Sequence, residues 1–331
     1  MAVRRQGRRV TAYDWGGAGP PVLLLHPAGF CAQMFGPLAA EIAAVCRPVA
    51  LDLPGHGGSE ALPDGVPLTF TGVAHDAAAV LSALGVERPL VVGMSFGGGV
   101  AVLLAELLGE LGVPPVGVVL AEAIIVDAAA EPAGPDSYVG GRRSAAAAAR
   151  RRPTFPSRAE LDEYLRVRRP FAELSPVVRA AYADAGTRPR PDGSVELCCH
   201  PDDEARAYVG SWHPDSAPRA WAALGRPSCP TVVAAGDESH LPRRWFERQA
   251  ARIGVPLEAA RGHHLFGYED PAAFADLILP RAGSRGWPPT QAKAPAAAGQ
   301  TRLPTASGVP VQSVMSPRSL SPRSLSADID R

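Results

Sequence analysis

The residues Leu90-Val91-Val92-Gly93-Met94-Ser95-Phe96-Gly97 set the frame for everything else in this chain. Three consecutive apolar residues read as a buried strand, and Gly98 to Leu108 carries the pattern of a helix. Between them the chain must turn sharply from strand to helix. Glycines on both sides of Ser95 let the backbone pass through that crowding and lift the serine oxygen above the end of the sheet. The helix that follows aims its amide end at the same spot, where negative charge would develop during attack on a carbonyl. With 34 glycines in 331 residues, a bare G-x-S-x-G can arise by chance, so the strand before it and the helix after it carry the meaning.

Outward from this turn, short apolar runs alternate with longer helix-compatible segments, the rhythm of a mostly parallel sheet covered by helices. The strand segments are Val10–Trp15, Val22–Leu25, Val45–Leu51, Leu90–Val92, Val116–Ala121, Thr231–Ala235 and Leu257–Ala260. Helical patterning covers Ala32–Val45, Thr71–Leu84, Gly97–Leu111, Arg243–Ile253 and Pro271–Leu279. Pro271 suits a first helical turn, where its missing N–H has no partner to lose. From Asp127 to Arg226 the rhythm fails. This stretch is rich in Arg, Pro and Ala, and it reads as a helical cap inserted over the sheet, with Asp192–Leu197 as a turn and short strand that shape it. Its run from Arg142 to Arg152 reads as a solvated helix, because no aromatic interleaving accompanies the basic residues. Past Ala282 the composition turns to Pro, Ser, Ala and Arg. Ser316-Pro317-Arg318-Ser319-Leu320 recurs at once as Ser321-Pro322-Arg323-Ser324-Leu325. Such a segment buries too little apolar surface to offset its ordering entropy, and disorder is expected. The expected organisation is therefore an α/β core from 1–126 and 227–281, a cap from 127–226, and a disordered tail from 282–331.

Composition narrows the class. A hydrophobic share of 46% describes a soluble globular protein, and zero net charge gives no reason to expect nucleic acid or a membrane surface as partner. The five cysteines are odd in number and lack C-x-x-C spacing, which argues against a disulfide framework or a zinc site. The basic stretch Met1–Val10 is not followed by the apolar segment a secretory signal needs, so a cytoplasmic location is expected. A small-molecule substrate, no cofactor and no metal complete the expectation. Oligomeric state has no signal in the sequence.

A serine hydroxyl needs a base to become nucleophilic. Two adjacent histidines, His263 and His264, lie on the loop after the last strand and before the helix opening at Pro271. At this point the chain resembles the α/β-hydrolase superfamily over about residues 10 to 280. Leu25-His26-Pro27-Ala28-Gly29, Asp52-Leu53-Pro54-Gly55-His56-Gly57-Gly58-Ser59, the turn at Ser95 and the histidine loop follow in family order. The resemblance implies His264 as the base, since it stands seven residues before Pro271, with His263 as its neighbour. It also implies an oxyanion hole from the backbone amides of Phe96 and Ala28. Proline at 27 replaces the commoner glycine, which changes the loop but leaves the Ala28 donor. His26 and His56 are expected to be structural.

The acid has two candidate places. The usual family position, three residues beyond Gly236, falls on Ser239, with Asp237 and Glu238 near but out of register. The alternative is the end of the preceding strand, where Glu122 directly follows Val118-Val119-Leu120-Ala121. An acid there is costly to bury unless a cation needs it, and that segment is similar to the one carrying the acid in haloalkane dehalogenases. Glu122 is favoured, with Asp237 second. Serine in place of the aspartate nucleophile of haloalkane dehalogenases and epoxide hydrolases argues for acyl transfer to water. The expected activity is hydrolysis of a small, mostly apolar ester or related acyl compound through an acyl-enzyme. A cofactor-free lyase or perhydrolase, or a non-catalytic ligand-binding protein on the same scaffold, are the alternatives. Phe155, Tyr164, Phe171, Tyr182, Tyr208 and Trp212 are candidates for the pocket wall of the cap.

Overall fold

The computed structural model describes residues 1–131 and 141–283. Six strands come first: β1 (Ala2–Arg5), β2 (Arg8–Asp14), β3 (Pro21–Leu25), β4 (Arg47–Leu51), β5 (Leu90–Met94) and β6 (Gly117–Ala121). Three short strands follow, β7 (Thr154–Phe155), β8 (Thr187–Pro189) and β9 (Val195–Leu197), and then β10 (Thr231–Gly236) and β11 (Leu257–Ala260). The main sheet has eight strands in the order β1-β2-β4-β3-β5-β6-β10-β11. Pairing is parallel from β4 through β11 and antiparallel only at β1-β2 and β2-β4. The strand segments read from the sequence all lie in this sheet. β1 was not among them: Ala2-Val3-Arg4-Arg5 is a polar edge strand, returned by the turn at Gln6-Gly7, and it lacks the apolar run that marks a buried strand.

Alternation along the strands divides the core in two. Leu23, Leu25, Val91, Val118 and Leu120 face one side, and Val22, Leu24, Leu90, Val92 and Val119 the other. Against the first side pack α2 (Phe70–Ala83) and α3 (Phe96–Glu110); α1 (Gly36–Ile42) lies on the second. Between β6 and β10 the chain forms α4 (Arg142–Ala148), α5 (Arg158–Leu165), α6 (Pro176–Ala185), α7 (Pro201–Gly210) and α8 (Ala217–Leu224). Then come α9 (Arg243–Ile253), α10 (Phe266–Glu269) and α11 (Pro271–Ala282).

Three readings need adjustment. The inserted segment holds more than the one short strand read in it, because β9 (Val195–Leu197) pairs with β7 and β8 as a small antiparallel sheet. Its last helix, α8, packs on α3: Ala217, Ala220, Ala223 and Leu224 join the core cluster, so residues counted with the cap up to 226 complete the core instead. Arg151, inside the basic run, is not solvated. It pairs with Glu204 and donates to the Tyr182 hydroxyl at 3.1 Å, fastening the end of α4 to α6 and α7. At the other boundary α11 continues through the buried Ala282. The rest of the tail and its repeat lie outside the described residues. Among the described residues, no helix is long and apolar enough to cross a membrane.

Candidate active site

β5 delivers Ser95 to the carboxyl edge of the sheet. The turn is tight: a Cβ on Gly93 would sit 2.3 Å from the Gly97 carbonyl oxygen, and one on Gly97 would sit 2.1 Å from that of Leu25. Ser95 itself takes a positive φ of 54° with ψ −116°, a backbone shape that L-residues adopt only under constraint. Neighbouring hydrogen bonds impose it. The Ser95 amide donates to Ala121 O at 3.0 Å, and the Ser95 carbonyl accepts from Gly98 at 3.0 Å and Ile124 at 3.0 Å.

Glu122 follows β6 and is also held at positive φ, 48°. Its amide donates to Ala234 O on β10, and its carboxylate is fully buried. Oε1 accepts from the Gly236 amide at 2.8 Å, while Oε2 accepts from the Ser239 hydroxyl at 2.7 Å and from His264 Nδ1 at 2.8 Å. The next residues are strapped down by Gln249 of α9, whose Nε2 donates to Ala123 O and Ile125 O. Because a carboxylate only accepts, His264 carries its proton on Nδ1 and leaves Nε2 as an acceptor. Nε2 lies 3.0 Å from Ser95 Oγ. Glu122, His264 and Ser95 thus form one continuous hydrogen-bonded line.

Asp237 does not join it. Its carboxylate accepts from the Gly262 amide at 2.8 Å and faces solvent, so it ties the histidine loop rather than the imidazole. His263 points the opposite way from His264. Its Nδ1 lies 3.1 Å from Glu269 Oε2, and that bond raises its pKa above the usual histidine value. Glu173, His263 and Glu269 each offer a ligand atom within 4.8 Å of one another, but His263 already spends Nδ1 on Glu269.

Across the site, the loop after β3 presents Ala28. The Ala28 and Phe96 amides have no acceptor among the described residues, and both residues line the cavity beside Ser95. Two buried histidines shape this side. His26 Nε2 accepts from the Leu53 amide at 3.0 Å and its Nδ1 donates to Pro27 O at 2.7 Å. His56 Nε2 accepts from the Gly29 amide at 3.0 Å and its Nδ1 donates to Pro54 O at 2.9 Å. Complete burial pushes their pKa values down to about 3 and about 4, so both are neutral at ordinary pH. Asp52 lies beneath them, accepting from Ala32 and Gly58. Desolvation raises its pKa to about 6.

The cavity above Ser95 is about 420 Å³, and Phe30, Ile124, Pro170, Trp212, Leu241 and Trp245 give it a mainly apolar wall. Of the cap aromatics expected there, Tyr208 and Trp212 line it. Phe171 and Tyr182 instead pack around Phe30, joining cap to core, and Phe155 packs against Tyr164, so those four serve packing rather than the wall. His240, which no motif singles out, stands edge-on to His264 at 5.6 Å and also borders the cavity.

Known proteins agree with this architecture. An esterase of Mycobacterium tuberculosis is 36% identical over 112 residues, 33% of this chain and 37% of its own length. A 2-hydroxymuconate semialdehyde hydrolase of Pseudomonas putida is 40% identical over 102 residues, 30% of this chain and 35% of its own. The chain thus spans about a third of the length of the curated relatives it matches. Among solved structures, a thioesterase domain from the curacin biosynthetic pathway superposes with a TM-score of 0.67 at 23% identity, covering 84% of this chain and 98% of that one. The family model described as the alpha/beta hydrolase family matches residues 22–277. With that match running through most of the sheet and both flanks of Ser95, this chain belongs to the alpha/beta hydrolase family.

Proposed function

We propose that this hydrolase is a serine hydrolase that cleaves a small, mostly apolar ester or related acyl compound through a Ser95 acyl-enzyme. The observation that carries the reading is the unbroken line from Glu122 Oε2 through His264 to Ser95 Oγ, with steps of 2.8 and 3.0 Å. His264 Nε2 takes the Ser95 proton as Oγ bonds to the substrate's carbonyl carbon. The carbonyl electrons move onto its oxygen, where the amides of Ala28 and Phe96 and the amino end of α3 favour the charge. When the tetrahedral centre collapses, the leaving group departs with the proton from His264. Water then gives its proton to His264 and attacks the acyl carbon, and Ser95 leaves reprotonated. Glu122 keeps its bond to Nδ1 throughout; it fixes the imidazole's tautomer and offsets its charge when protonated.

A cavity of about 420 Å³ with a mainly apolar wall supports a small substrate of that character. The esterase and hydrolase names of the partial relatives support water as the acyl acceptor. The intact proton line favours catalysis over a pocket that merely binds. A small molecule is the partner proposed, and a cytoplasmic setting is part of the same reading, supported by five unpaired cysteines.

The test is p-nitrophenyl ester hydrolysis together with fluorophosphonate labelling mapped by mass spectrometry. Label on Ser95, and turnover falling by about 10⁶-fold in Ser95→Ala, is the expected result. Full turnover in that variant would end the proposal. Product analysis in oxygen-labelled water separates hydrolysis from a lyase or perhydrolase reaction.

A further inference from the structure

The Glu122 carboxylate receives three donors, and two of them meet on one atom. Oε2 takes the Ser239 hydroxyl at 2.7 Å and His264 Nδ1 at 2.8 Å. Ser239 Oγ also accepts from the Leu241 amide at 3.2 Å, which leaves its single proton committed to the carboxylate. A hydroxyl giving its proton to a carboxylate at this distance makes a charge-assisted bond, stronger than a neutral one. It matters here because glutamate reaches the imidazole on a longer, more rotatable stem than aspartate does. Gly236 fixes only the other oxygen, Oε1.

We propose that Ser239 is a positioning residue of this hydrolase: its hydroxyl holds Glu122 Oε2 against His264 Nδ1. It does so from the place after β10 where the acid itself was sought. Since Ser239 Oγ and His264 Nδ1 reach the same oxygen, a carboxylate installed at 239 would take over the room that Oε2 vacates. This inference rests on the proposed role of Glu122.

Steady-state kinetics on purified variants test it, with thermal melting as a check on folding. Ser239→Ala is expected to lower kcat by about tenfold with little change in KM, as befits loss of one hydrogen bond to a charged group. Ser239→Thr, which returns the hydroxyl, is expected to recover most of that loss. Ser239→Asp in a Glu122→Ala background, where Oε2 is gone, is expected to exceed Glu122→Ala alone by at least about tenfold. Full activity in Glu122→Gln alone would overturn the role of Glu122. A crippled Glu122→Ala that Ser239→Asp does not improve, or a Ser239→Ala with unchanged kcat, would overturn the role of Ser239 while leaving Glu122 in place. If Ser239→Ala fails to fold, the Thr and Asp variants still decide the matter.

Discussion

The two flanks of Ser95 use the same side chain for opposite ends. On the β3–β4 flank, His26 and His56 are wholly enclosed, and every ring nitrogen meets a backbone group. Burial outweighs the carbonyl bonds and the Asp52 carboxylate 4.0 Å from His26 Nε2, so these rings stay neutral and act as clasps between the Ala28 loop and the Asp52–Ser59 loop. On the β6–β10 flank, His264 meets a carboxylate on one nitrogen and a hydroxyl on the other, and one edge opens to the cavity. A ring with a carboxylate behind it and a movable proton in front can exchange charge. The difference teaches that burial with backbone partners makes an imidazole a clasp, while a carboxylate on one nitrogen and a hydroxyl on the other suit it to proton transfer.

That contrast can be broken first at its strongest point. Glu122→Gln keeps the shape but not the charge, and a fall in turnover approaching about 10⁴-fold is expected in ester hydrolysis. His56→Ala attacks the other flank. It frees the Gly29 amide and loosens the loop that carries Ala28, so kcat is expected to drop about 100-fold with the Ser95 label still formed slowly. The clasps should also show in stability against pH. Their folded pKa values lie below the unfolded value near 6.5, so the unfolded chain binds more protons as pH falls. Stability is therefore expected to decline from about pH 6.5 down to about pH 3, partly opposed by Asp52, whose raised pKa acts in the other direction between about 6 and 4. Melting temperatures across that range measure it, and a flat profile would mean the clasps are solvated. The smallest effect is expected from Asp237→Asn. An amide oxygen still accepts from Gly262, so turnover should stay within about threefold of the parent.

Much of this was legible in the sequence for identifiable reasons. The β5–α3 turn declares itself because only glycine tolerates the approach of Leu25 and Gly97 carbonyls. Glu122 stands out because an acid at the end of a buried apolar run needs a partner, and its partner turned out to be His264. Local pattern fails where meaning depends on distant residues. Arg151 reads as one more surface arginine until Glu204, far along the chain, is folded beside it. Ser239 was counted only as an acid that was missing; its hydroxyl gains significance from Glu122, 117 residues earlier. The β1–β2 hairpin is hidden differently. Arg5 and Arg8 hide its strand character, and their role shows only once Asp76 of α2, nearly fully buried, receives both guanidinium groups. In the small cap sheet β9 was legible beside its turn, but β7 and β8 escape because strands of two or three residues carry no period to read.

The backbone at Ser95 carries a practical warning for anyone who engineers this scaffold. Glycine would occupy that twisted torsion without strain, so a library sorted on heat resistance alone will be drawn to replace the proposed nucleophile. Such a campaign would harvest sturdier but silent proteins, and turnover has to be part of the selection from its first round.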